Sequence, residues 1–100
     1  MSLGELQHVT MLAVARLGER AYGGAIREEL KRVAGRSVTV PTVYVTLVRL
    51  EEDGLVHSTA RQGARGGRPR RVFALTRAGW RALEDAREAM ARMWEGVVRP

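Results

Sequence analysis

The chain contains no cysteine, which removes disulfides, thiol nucleophiles and every zinc site built on cysteine. His8 and His57 are too few for an all-histidine metal site, and no cofactor or metal is implied. A chain without disulfides is expected inside the cell, in the cytoplasm. No apolar run approaches the ~18 residues of a membrane span. Glu5 stands where a signal peptide would carry Lys or Arg ahead of an apolar stretch, so a soluble, unexported protein is expected. Acidic residues are missing altogether between Leu55 and Leu83, whereas Arg61, Arg65, Arg68, Arg70, Arg71, Arg77 and Arg81 all fall in that window.

What is present fits one small helical domain. A chain of 100 residues buries roughly two-thirds of its unfolded surface, enough for one modest core and no separate catalytic domain. Ala, Val and Leu dominate the apolar 45%, and aromatic residues make up only 5%, a balance that favours helices packed by small and aliphatic side chains. Seventeen basic against eleven acidic residues give a net charge of +6, which points to a polyanionic partner such as nucleic acid. All but one of the basic residues are Arg, a bias that a GC-rich genome also produces, so the acid-free window argues more strongly than the total.

Apolar periodicity predicts a helix over 3–17, with Leu6, Val9, Ala13 and Leu17 on one stripe and Met11 and Val14 on another. Two apolar sides suggest burial against both its own domain and a partner chain, the alternative being a central core helix. A second helix is predicted over 23–34, closed by Gly35. After a short Ser37–Thr39 stretch of β character, a third begins with Thr39 as cap and Pro41 in its first turn and ends near Asp53 and Gly54. This is helix-turn-helix spacing. In the third helix Val43, Leu47 and Leu50 share one face, and Thr42, Val45, Thr46 and Arg49 share another. Hydroxyls, a methyl-bearing Val and one Arg suit base edges and thymine methyls in a major groove, although an ordinary solvated face has the same polarity.

Residues 55–61 and 70–75 read as two strands joined by a basic, glycine-rich tip carrying Arg65 and Arg68. Thr76 then caps a last helix predicted over 77–97, whose stripe of Trp80, Leu83, Ala86, Met90, Met93, Trp94 and Val97 is longer than the other elements can cover. The expected fold is therefore mainly α with a small β-hairpin: a winged helix-turn-helix over 1–76 and a C-terminal dimerisation helix over 77–100, one structural unit. Met11, Val14, Leu83, Met90, Met93, Trp94 and Val97 are the expected dimer interface. Arg61, Arg70 and Arg71 join Arg65 and Arg68 as expected DNA contacts on the wing.

The residues also resemble a known family. Tyr22 and Gly23 followed by Ile26 and Leu30, then Pro41 to Val56 (PTVYVTLVRLEEDGLV) and Gly67 to Gly79 (GRPRRVFALTRAG), look like the PadR transcriptional regulators. The resemblance spans about residues 3–97 and implies a dimeric bacterial repressor. Its third helix would enter the major groove of a palindromic operator, and its wing would follow the minor groove or backbone. Thr42 and Tyr44 match positions that commonly contact phosphate, with packing against the wing as the other role open to Tyr44. Some relatives bind planar apolar effectors in a dimer-interface cavity flanked by tryptophan. Trp94 is the matching candidate here, unless it simply fills the dimer core; Met11 is expected beside it, as an unbranched side chain able to adapt around a ligand. Pro41 and Val45 depart from the family's usual Gly before the Thr and Pro after the Tyr.

Enzyme readings fail on inventory. Ser37, Asp53 and His57 lack the glycines of a nucleophile elbow, and the Gly63–Arg68 segment lacks the Lys-Ser/Thr pair of a phosphate loop. The competing reading from another class is a winged-helix protein-interaction module, which would place large apolar residues where Thr42, Thr46 and Arg49 stand. RNA binding would call for exposed aromatics on the sheet, where Phe73 is the only one.

Overall fold

A computed structural model describes residues 3–63 and 67–100. Helix α1 (Glu5–Leu17) is followed by a single 3₁₀ turn over Gly18–Arg20, then α2 (Gly23–Ala34), α3 (Val40–Glu52), strands β1 (Val56–Arg61) and β2 (Arg70–Leu75), and α4 (Arg77–Trp94). The caps follow from local chemistry. Thr39 Oγ1 accepts from the Thr42 N–H at 3.2 Å, satisfying one orphan donor of the first turn of α3. Thr76 Oγ1 does the same for Gly79 N–H at 3.0 Å and itself donates to the Gly54 carbonyl at 2.6 Å, so the cap of α4 is also its tie to the end of α3. Gly35 ends α2 in the left-handed region at φ 65°, open to glycine at no steric cost.

The strands pair antiparallel, Val56 opposite Leu75 through Arg61 opposite Arg70. On the free edge of β2, Tyr22 bridges to Val72 and Phe73 N–H donates to the Ala21 carbonyl at 2.9 Å, so the segment before α2 borders the hairpin. The register puts Val56, Ser58, Ala60, Arg71, Phe73 and Leu75 on one face and His57, Thr59, Arg61, Arg70, Val72 and Ala74 on the other. Val56 and Phe73 on the first face are buried, so that face looks inward to the helices.

The core gathers Met11, Ala13 and Val14 from α1, Ile26 and Leu30 from α2, Val43, Leu47 and Leu50 from α3, and Phe73 from β2, with Leu83 from the root of α4. Each large member contributes about 1.5–3 kcal/mol by leaving water. Helix α4 enters this core at a point only glycine permits: a Cβ on Gly79 would lie 2.1 Å from the Leu55 carbonyl oxygen. Beyond that root the helix runs out from the body. Extents of 56 × 26 × 20 Å and a radius of gyration of 15.0 Å exceed the ~13 Å typical of a compact chain this long.

Several expectations are corrected. Met11 and Val14, expected at a partner interface, are 0% and 2% exposed in a single copy, because α2, α3 and the hairpin close around that side of α1. Leu83 belongs with them in the core. Helix α1 begins at Glu5 rather than Leu3. Helix α4 stops at Trp94 instead of Val97, since Gly96 turns the backbone to φ 77°. No helix among the described residues is long and apolar enough to cross a membrane.

Candidate nucleic-acid interface

Helix α3 presents its outer side to solvent between α2 and the hairpin. Val43, Leu47 and Leu50 hold it to the core, leaving Pro41, Thr42, Val45, Val48 and Arg49 exposed. Thr46 is not on that surface. It is 7% exposed, and its hydroxyl donates to the Thr42 carbonyl at 2.9 Å, the usual back-bond of a helical threonine. Val48 takes its place, a residue the sequence pattern did not single out although it lies one turn beyond Val45.

Tyr44 packs in the way the wing alternative required. Its ring meets Phe73 edge-on, centroids 6.3 Å apart at 64°, and lies so close to Gly23 that a Cβ there would be 2.5 Å from a ring carbon. Tyr44 thus wedges the start of α2 against β2 while keeping about a third of its surface exposed.

The wing arginines divide by face. Arg61 and Arg70 are opposite each other on the outer face, and the Arg70 guanidinium lies 4.4 Å over the Tyr22 ring, a cation–π contact that orients the charge. Arg71 is on the inner face, where its Nη1 donates to Ser58 Oγ at 3.0 Å. Ser58 in turn donates through both its N–H and its hydroxyl to the Glu51 carboxylate, at 3.0–3.1 Å. This chain of contacts braces the last turn of α3 against both strands, and neither Glu51 nor Ser58 was flagged by the sequence pattern. Arg68 is exposed, and Arg65 lies outside the described residues.

The ion pairs among the described residues lie elsewhere. They join Arg16 and Arg32 to Glu29, Arg27 to Glu28, and Arg36 to Glu5, all within α1, α2 and the turn after it. Glu29 holds α1 to α2, and its hydrogen bonds from Arg16 and then Arg32 keep its carboxyl below the ordinary glutamate range.

A second surface lies on α4. Trp80, Met90, Met93 and Trp94 are exposed on it, Met93 at 75% and Trp94 at 67%, and Val97, just past its end, is exposed as well. Between α1 and α4 runs an open groove of about 690 Å³ lined by His8, Leu12, Trp80, Leu83, Met90 and Trp94, among others. Leu12 was not anticipated here. Met11, expected beside Trp94, is sealed in the core one residue away and lines no part of the groove.

Comparison with known proteins agrees with this layout. The Transcriptional regulator PadR-like family matches residues 11–85. The chain is 42% identical over 77 residues to Transcriptional regulator Rv3488 of Mycobacterium tuberculosis, covering 77% of this chain and 69% of that one. It is similar to the crystal structure of a PadR family transcriptional regulator from Eggerthella lenta, with a TM-score of 0.71, 30% identity, and coverage of 92% and 81%. A PadR-like transcription factor from Bacteroides fragilis superposes with a TM-score of 0.75 at 28% identity, covering 90% and 84%. The chain belongs to the PadR-like family and is a DNA-binding transcriptional regulator with a winged-helix fold.

Proposed function

We propose that the protein is a homodimeric repressor that binds a palindromic operator and leaves it when a flat apolar effector enters the groove beside Trp94. In this reading residues 1–76 are the DNA-binding unit, acting on the cytoplasmic chromosome, and residues 77–100 pair two copies. The observation that carries it is the exposed outer side of α3 lying beside a wing whose Arg61, Arg68 and Arg70 point away from the core. Thr42 and Arg49 meet the duplex from α3, and the wing arginines meet phosphates. The exposed Met90, Met93, Trp94 and Val97 support pairing, because a contiguous exposed apolar surface marks a site of association and a second copy would take it out of water.

Selection of duplexes from a random pool, followed by footprinting of the promoter upstream of the gene, tests the reading. Half-sites about 34–36 Å apart are expected. If each copy meets about four phosphates, log affinity falls against log salt with a slope near −7. A slope near zero contradicts phosphate contact, and a rise in reporter transcription on expression contradicts repression. Planar aromatic dyes are expected to quench a fluorescence component that Trp94→Ala removes; dissociation of the dimer by Trp94→Ala with no dye binding to the wild type makes Trp94 purely structural.

A further inference from the structure

The outward strip of α3 has a chemistry more specific than that of a general DNA-facing helix. At 3.6 residues per turn Pro41, Val45, Val48 and Glu52 fall within about 60° of one another, opposite the residues that enter the core. Val45 and Val48 are 53% and 52% exposed. Thr42 and Arg49 flank the strip on one side; Tyr44 and Glu51, which touch the wing, flank it on the other. A helix face left to water is ordinarily polar, so an apolar line at i, i+4 and i+7 calls for an apolar partner.

The surroundings identify that partner. Residues 40–50 contain no acid, the N-terminal end of the helix carries the positive end of its dipole, and the adjacent wing is basic, so what approaches the strip is a polyanion. Glu52 and Asp53 place negative charge only at the far end. Among the groups that base edges offer in a major groove, the apolar one is the C5-methyl of thymine. Val is stiff at χ1, so its two methyls are already held in place and little side-chain freedom is lost on contact.

We infer that Val45 and Val48 read thymine C5-methyl groups, so that base choice opposite this strip is made by methyl contact while Arg49 and Thr42 supply the polar contacts beside it. The inference rests on the proposed placement of α3 in the major groove and adds what the helix reads there.

The test uses the full chain and its selected duplex, with each half-site thymine replaced singly by deoxyuridine, which removes the methyl and keeps the base pair. At one or two positions per half-site affinity is expected to fall by about 3- to 10-fold. Val45→Ala or Val48→Ala, at exposed positions where the melting temperature is expected to hold, removes that penalty at its own position. Tolerance of deoxyuridine throughout, a half-site without thymine, or a penalty that persists in both variants overturns the inference while leaving DNA reading intact. Failure to select any duplex overturns the placement of α3 on which it rests.

Discussion

Helix α1 and the outer half of α4 both carry apolar side chains over more of their circumference than one small core asks for, and the chain treats them in opposite ways. Around α1 the second stripe is taken up by α2, α3 and β2, so Met11 and Val14 end among the most buried residues of the protein. Along α4 only the root, Gly79 and Leu83, is enclosed, and Met90, Met93 and Trp94 stay in water. Similar amphipathic patterns therefore mean a central helix in one place and an uncovered surface in the other. The difference lies in how many other elements can reach each helix, which is a property of topology.

Truncation of one residue on each helix separates the two cases. Met11→Ala is expected to cost about 2–5 kcal/mol in denaturant unfolding, through lost burial and the cavity left behind. Trp94→Ala is expected to change the stability of the single chain by less than about 0.5 kcal/mol. The dimer is expected to survive Trp94→Ala in sedimentation, whereas Met90→Glu, which buries an unpaired carboxylate in the pairing surface, is expected to raise its dissociation constant about tenfold or more. Equal destabilisation by Met11→Ala and Trp94→Ala at concentrations below pairing would abolish the distinction.

The root of α4 gives the next largest effect. Gly79→Ala places a Cβ against the Leu55 carbonyl, a backbone atom that cannot swing aside, and is expected to destabilise by about 1–3 kcal/mol or more. A wild-type unfolding curve would mean that α4 is not anchored there.

Inside α1 the opposite sign is expected. Thr10 is fully buried, and its Oγ1 has no hydrogen-bond partner among the described residues. Thr10→Val keeps the shape, removes the unsatisfied hydroxyl and is expected to stabilise by about 1 kcal/mol. A loss of stability in the same urea titration would show that the hydroxyl is bonded.

The smallest effect concerns the α1–α2 tie. Because Arg16 and Arg32 depress the Glu29 pKa in the folded chain, the associated stability is full above the ordinary value of 4.5 and is lost as pH falls through the lowered folded value. Urea midpoints measured from pH 7 down to pH 3 are expected to fall less steeply for Glu29→Gln than for the wild type. Parallel acid limbs would count against the tie.

Features set by neighbours in the chain are legible in the amino-acid sequence. Thr39 and Thr76 cap where expected, α2 and β2 have the expected bounds, and Val43, Leu47 and Leu50 face the core, because caps and periodicity are local. Features set across the chain are not. Thr46 shares a helix quadrant with Arg49 but is covered by its surroundings, and no periodicity rule marks which edge of a face will be covered. Arg70 and Arg71 are consecutive and read alike, yet the pleat sends one onto Tyr22 and the other to Ser58 and Glu51. Gly79 looks like an ordinary helical glycine until Leu55 is brought against it.

In the proposed complex two copies, paired through α4, each lay an α3 and a wing on one duplex. Sedimentation equilibrium of the chain with its selected palindromic duplex tests it most directly. Two chains per duplex are expected, reached without a stable one-chain species, and the free protein is expected at twice the monomer mass at micromolar concentration. A monomer in free solution that saturates the duplex at one chain per site would contradict this arrangement.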